Sequence, residues 1–111
     1  MVFPVGQKTI FAKTHLRQYG GLKSRIIALC DAELLGKVFT QGEVILDLKN
    51  YKDFYCGEKI SEIEAVELLR NADNVNIVGE KAVGAARKAL GFKASQARNV
   101  KGIPHLQVYK V

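Results

Sequence analysis

Residues 61–91 read "SEIEAVELLRNADNVNIVGEKAVGAARKALG", and how they are divided decides the fold. Ser61 and Glu64 have the spacing of a capping box, in which each side chain satisfies a free backbone N–H at a helix start. Ala65, Val66, Leu68, Leu69 and Ala72 then fall on one stripe, which predicts a helix over 61–72. The apolar run after it is short and rich in β-branched residues, which predicts a strand over 75–78. A second helix follows over 80–91, ended by Gly91, with Ala82, Val83, Ala86, Ala89 and Leu90 inward. Its outer face carries Glu80, Lys81, Gly84, Arg87 and Lys88. The closing stretch "KGIPHLQVYKV" (101–111) places Pro104, which has no N–H to donate, at the first residue of a strand over 105–110. Strand 75–78, helix 80–91 and strand 105–110 together predict a right-handed β-α-β crossover with the two strands parallel.

The first half reads differently. "QKTIFAKTHL" alternates with a period of two, "RQYGG" is a turn, and "LKSRIIALC" is a second strand, so residues 8–30 predict a hairpin. Asp31 is expected to cap the single turn "AELLG" that follows it. "EVILDLK" and "KDFYCGEKI" are expected as a third and a fourth strand, the latter bent at Gly57. Antiparallel hairpins followed by helices predict an α+β class: a mixed, mainly antiparallel sheet with two main helices and one C-terminal β-α-β crossover. The 111 residues fit a single domain, 1–111.

Composition bounds the function. Hydrophobic content of 48% and charged content of 25% are globular values, which argues against a disordered chain. No apolar run approaches the ~20 residues of a membrane helix. No basic start leads into an apolar stretch of secretory length, so a cytoplasmic location and no membrane partner are expected. Cys30 and Cys56 form no C-x-x-C pair and are expected as reduced, partly buried apolar residues. A Cys2His2 set with His15 and His105 has no support from spacing. The net charge of +6 is uneven: residues 1–27 hold five basic and no acidic residues, 28–67 four and nine, 68–111 eight and two. Such asymmetry points to a basic surface built from both ends if they meet in the fold.

Nucleotide-binding motifs are absent. Gly79 and Gly84 have P-loop spacing, but Ala85 and Ala86 stand where Lys and Ser/Thr belong. The acids Asp31, Glu33, Asp47, Asp53 and Glu58 match neither a metal-ligand nor a glycosidase pattern. No metal or cofactor is implied, and no residue is assigned a catalytic role.

Alternation in the last strand puts Leu106 and Val108 on one face and His105, Gln107 and Tyr109 on the other. Strand one presents Phe11, Lys13 and His15 on one of its faces. If these share an open sheet face, rings and cations lie side by side there, a workable platform for single-stranded RNA. The candidate nucleic-acid contacts are Lys13, His15, Arg17, Arg25, Lys81, Arg87, Lys88, Arg98, Lys101, His105, Gln107 and Tyr109. The first expectation is therefore a non-enzymatic protein that binds RNA or a ribonucleoprotein through a basic surface. Two alternatives stand beside it: an accessory factor that binds another protein, and a small enzyme with acid–base chemistry at His105. The enzyme needs an oriented partner such as Glu80, Asp31 or Cys30.

The motifs "CDAELLGK" (30–37), "FYCGE" (54–58), "NIVGEKAV" (76–83) and "GIPHLQV" (102–108), in that order, resemble the archaeal domain of unknown function family 424. The resemblance runs from about residue 9 to the end and implies an archaeal, cytoplasmic, single-domain α+β protein with no established activity. Cys56 stands where the family pattern has a small residue, so no cysteine-dependent role is implied. The motif positions Asp31, Gly36, Gly79, Glu80, Pro104 and His105 are singled out. Glu80 and His105 lack a backbone explanation, and the predicted crossover places them at opposite ends, against a direct dyad.

Overall fold

A computed structural model describes residues 6–109. The chain opens with β1 (Lys8–Tyr19) and β2 (Leu22–Asp31), paired antiparallel from Ile10↔Asp31 to Tyr19↔Leu22. A 3-10 turn over Ala32–Leu34 leads to a separate hairpin, β3 (Val38–Gln41) and β4 (Val44–Asp47). A single-turn helix, α1 (Lys52–Tyr55), precedes β5 (Glu58–Ser61) and α2 (Glu62–Leu69). Then come β6 (Asn74–Val78), α3 (Glu80–Leu90), β7 (Arg98–Val100) and β8 (Ile103–Val108). Six strands form one sheet in the order β5-β1-β2-β6-β8-β7, in which β2–β6 is parallel and the other pairs are antiparallel. The α+β class, the mixed and mainly antiparallel sheet and the two main helices are as the sequence predicts.

The capping box forms as read: Ser61 Oγ accepts from the Glu64 N–H at 3.1 Å, and Glu64 Oε1 accepts from the Ser61 N–H at 3.0 Å. Helices α2 and α3 cover one sheet face. Their core joins Ile10, Ile27, Leu29, Val75, Ile77 and Leu106 to Ala65, Leu69, Ala82, Val83 and Ala86. The small residues of α3 allow close approach to the strands, and Ala85 is buried with them.

Three expectations change. Strand 75–78 does neighbour the last strand, but β6 and β8 are antiparallel, with Val78 opposite His105. The strand after α3 that runs parallel to β6 is β7, which lies inside what reads as a loose basic segment; the crossover is β6-α3-β7, with β8 inserted between its strands. The cause is a two-residue turn at Lys101 (φ 54) and Gly102 (φ 79), which folds β8 back beside β7. Lys110, at the end of the predicted strand, lies outside the described residues. Second, residues 52–60 are not one strand. Asp47 accepts from the backbone N–H groups of Lys49 and Asn50, which tightens the chain ahead of α1. A Cβ at Gly57 would collide with the Ala12 carbonyl oxygen, so the break falls where β5 comes close to β1. Third, "EVILDLK" yields only β4, and its partner β3 has no strong strand signal in the sequence.

Among the described residues no strand lies outside β1 beyond Ala12, and β6 joins β2 only from Ile26 onward. Residues 16–25 are therefore a two-stranded arm, in keeping with a molecule 52 Å long and 27 Å thin.

Candidate functional site

Cross-strand register places the side chains of the second sheet face. One row runs Phe11, Cys30, Val78, His105 and Arg98; the next runs Lys13, Ala28, Asn76 and Gln107. His15 and Arg17 continue the β1 side of this face. The predicted sharing of one face by Phe11, Lys13, His15, His105 and Gln107 is thus present, and Tyr109 lines the same face's cavity.

The face is not open, however. The β3–β4 hairpin and α1 lie over it, and Leu46, Leu48 and Tyr55 are buried against Ala28, Cys30, Val78 and Val100. The β1 groups hold this cover in place. His15 stacks on Phe54 with ring centroids 4.3 Å apart and an 11° interplanar angle, and donates from Nε2 to the Phe54 carbonyl at 2.8 Å. Lys13 Nζ donates to the Asp53 carbonyl at 2.7 Å. The Lys59 ammonium lies 5.7 Å from the Phe11 ring centroid. These side chains anchor α1 and the sheet edge rather than present a bare platform.

A cavity of about 550 Å3 remains between cover and sheet. Arg17, Tyr51, Asn76, His105, Gln107 and Tyr109 line it, drawn from the first strand, α1's approach and the central and last strands. Ile45, Tyr51 and Tyr109, three of the seven large apolar residues exposed on the described surface, belong to its lining.

Its floor is a polar chain whose proton positions follow from one fixed donor. Arg98 only donates, so its contact at 3.1 Å makes His105 Nδ1 the acceptor. The His105 proton therefore sits on Nε2 and goes to Asn76 Oδ1 at 2.9 Å. The same oxygen accepts from Tyr55 Oη at 2.8 Å. That fixes the amide, and Asn76 Nδ2 donates to Tyr109 Oη at 3.2 Å. Tyr109 keeps its own O–H to give to a ligand. Burial first, and the Arg98 charge second, lower the His105 pKa to about 4, so the ring is neutral. Burial pushes the Tyr55 phenol well above its usual range and the Cys30 thiol up to about 12.

The other flagged residues disperse. Asp31 does not cap its own turn. It reaches 50 residues ahead to the start of α3, accepting from the Lys81 N–H at 3.1 Å and the Ala82 N–H at 2.8 Å. Gly79, at φ 107, leaves room for this: a Cβ there would lie on the Asp31 carboxyl. Burial outweighs the two N–H bonds and raises the Asp31 carboxyl above its ordinary range. The carboxylate takes the place an anion would need at that helix end. Glu80 and His105 are close in the fold, not at opposite ends, since Gly79 N donates to the Pro104 carbonyl at 2.9 Å. Yet Glu80 is exposed beside Pro104 on a separate small pocket, while the His105 nitrogens meet Arg98 and Asn76. Lys81 pairs with Glu33 at 3.2 Å. Arg87 and Lys88 are exposed on α3, Arg25 lines a pocket beside Asn71–Asn74, and exposed Lys101 forms the β7–β8 turn. No group of three or more His, Cys, Asp or Glu fit for a metal occurs among the described residues.

His105, Asp31 and Cys30, groups named for acid–base chemistry there, are each engaged in the fold. Both ring nitrogens are committed, Asp31 caps a helix, and Cys30 is a buried neutral thiol. Sequence reading passes over Asn76, Tyr55 and Tyr51. The available signal is "NVNIV", where Asn74 and Asn76 alternate inside an apolar central strand; buried amides need partners.

The sequence profile of the family described as "Protein of unknown function (DUF424)" matches residues 20–111. The chain belongs to that family. The match contains α1, β6 and β8, hence most of the DUF424 cavity, while β1 precedes it. Among curated proteins none matches the chain. Its fold is similar to that of an uncharacterized conserved protein from Methanopyrus kandleri, an archaeal neighbour, with TM-score 0.72 and 22% identity over 92% of this chain and 94% of that one. No helix among the described residues is long and apolar enough to cross a membrane.

Proposed function

We propose that the protein is a non-enzymatic, cytoplasmic RNA-binding protein, acting on single-stranded RNA or a ribonucleoprotein. One observation carries this reading: Arg17 of the first strand and Gln107 and Tyr109 of the last converge on one concave surface with exposed rings in its lining. On the arm Arg17 lies on this face and Lys23 and Arg25, in register with Gln18 and Leu16, lie on the other, within a chain of net charge +6. Cations along a ribbon meet phosphates, and rings take up bases.

Labelled single-stranded RNA decamers, followed by fluorescence anisotropy against salt, test the reading. Three phosphate contacts by the arm predict a slope of log K against log[salt] of about −2. Replacing Arg17, Lys23 and Arg25 together by Glu is expected to abolish binding, and the same change at Arg87 and Lys88 to leave most of it. No RNA bound at about 50 mM salt overturns the reading.

A protein partner is the second reading, favoured by a different surface. Leu16 (79% exposed), Ile63 (55%) and Leu68 (37%) stand on the helix side near the unpaired outer edge of β1. Glu58, Glu64 and Glu67 line a groove beside Ile63 and Leu68, which suits a basic partner segment. A partner that co-purifies with the wild type but not with Leu68→Glu supports it.

A further inference from the structure

We infer that the outer edge of β1, over residues 14–18, docks a second copy of this chain, strand to strand and antiparallel, about a two-fold axis beside Leu16. The inference deepens the second reading and rests on it for the surface; it names the protein partner as the chain itself.

Backbone geometry decides which groups face outward. Gly20 and Gly21 have φ of 52 and 89, the pattern of a two-residue turn whose flanking pair, Tyr19 and Leu22, is hydrogen-bonded. Bonded and non-bonded pairs alternate along an antiparallel ladder, so Arg17, His15 and Lys13 also turn their N–H and C=O groups toward β2. Thr14, Leu16 and Gln18 turn theirs outward. Ala12 has the same parity, and its carbonyl oxygen does point out to Gly57. Among the described residues no strand takes up the outward groups beyond Ala12. Free edges are ordinarily guarded by charge, proline or a bulge. The arm's other free edge is guarded, because the outward residues of β2 there are Lys23 and Arg25. Thr14, Leu16 and Gln18 are exposed and uncharged, with no such guard.

The edge is self-complementary in one register. With Leu16 opposite the partner's Leu16, Thr14 faces the partner's Gln18, and every outward N–H meets an outward C=O. The partner's strand then ends at its Tyr19, opposite Lys13, just short of β5, which starts its pairing at Ala12. A slip of one residue sets outward groups against inward ones, and a slip toward Ala12 runs the partner into β5. Side chains agree with this register. Leu16, the most exposed large apolar residue of the described surface, is covered by its own copy, next to Ile63 and Leu68. Glu58 and Glu67 line the groove on the helix side. Lys23 and Arg25 lie on the same face, across from Gln18 and Leu16, so the partner's Lys23 follows the partner's Gln18 in the row that faces Thr14. Glu58, Lys23 and Arg25 have no ion pair among the described residues, and the copies bring these opposite charges to one side of the sheet.

Sedimentation equilibrium from about 20 µM to about 2 mM tests the inference; three bonded pairs make a small contact, so a dissociation constant on the order of 100 µM is expected. Amide exchange at both ends of that range reads the register. In the dilute monomer exchange along residues 13–18 alternates, fast at Thr14, Leu16 and Gln18 and slower between them, and the alternation disappears as the dimer forms. Leu16→Lys and Leu16→Glu each set like charges face to face and weaken association roughly ten-fold or more. Mixed in equal amounts, the two variants form a heterodimer, because unlike charges then meet across the axis. Far-UV circular dichroism confirms that both variants fold. A dimer that survives both variants, or that leaves the outward amides fast, is joined elsewhere and overturns the inference. A wild type that stays monomeric at the highest concentration also overturns it; if a co-purifying protein is then lost in Leu68→Glu, the partner reading stands with a different occupant. A monomer that loses no partner in Leu68→Glu overturns both.

Discussion

Two side chains do unusual work at the level of single residues. Asp31 leaves β2 and caps a helix that begins 49 positions later, and Gly79 is bare so that it can. Gly79→Ala forces a methyl onto the carboxylate at a φ of 107 that L-residues avoid, and about 3 kcal/mol of stability should be lost. Urea denaturation measures it; an unchanged midpoint would show that the helix start shifts without cost. The second side chain is His105. Its folded pKa, about 4, lies below the ordinary 6.5, so the unfolded chain binds more protons between those values. Stability from this group is complete above pH 6.5 and is lost as pH falls through 4, on the order of 3 kcal/mol. Asp31, with its carboxyl raised, works in the opposite direction, so the comparison with His105→Gln isolates the histidine. Thermal melts across that window should converge for the two proteins toward acid. In Arg98→Ala the His105 pKa, followed by NMR, should recover only part of its drop, because burial is the larger cause.

Among the elements, the arm is part of the hairpin that the sequence predicts, whereas the cover departs from what local sequence suggests. Residues 16–19 and 22–25 pair only with each other, whereas 26–30 are flanked by β1 and β6. Amide exchange in the arm should be orders of magnitude faster than in β2 beyond Ile26, since few buried contacts hold it. Equal protection would mean that another surface covers the arm. The cover is held by polar ties as well as by its apolar side. Tyr55→Phe removes one of two donors to Asn76 Oδ1 and should cost about 1 kcal/mol, because His105 still satisfies that oxygen. Asn76→Ala strands both donors at once and should cost about 2–3 kcal/mol. The reading of 52–60 as one strand fails for a related reason: alternation in "KDFYCGEKI" records burial of Tyr55 and Ile60, not the helical turn that separates them.

For the whole molecule, the two main helices, the Gly20–Gly21 hairpin and the inward faces of β1 and β8 follow from the sequence alone. Each depends on a repeat of 3.6 or 2 residues and on capping or turn groups a few positions apart. That the rings and cations of the two end strands share a face also follows from period-two alternation, once the strands lie in one sheet. Only the tertiary structure decided that residues 32–57 fold back over this face and turn a platform into a cavity. Only it decided that β8 slips between β6 and β7, and that Asp31 serves α3 rather than its own turn. Alternation tells a side chain to be buried, but not by what; the partner is chosen by long-range packing, through contacts between residues many tens of positions apart that leave no local period to read.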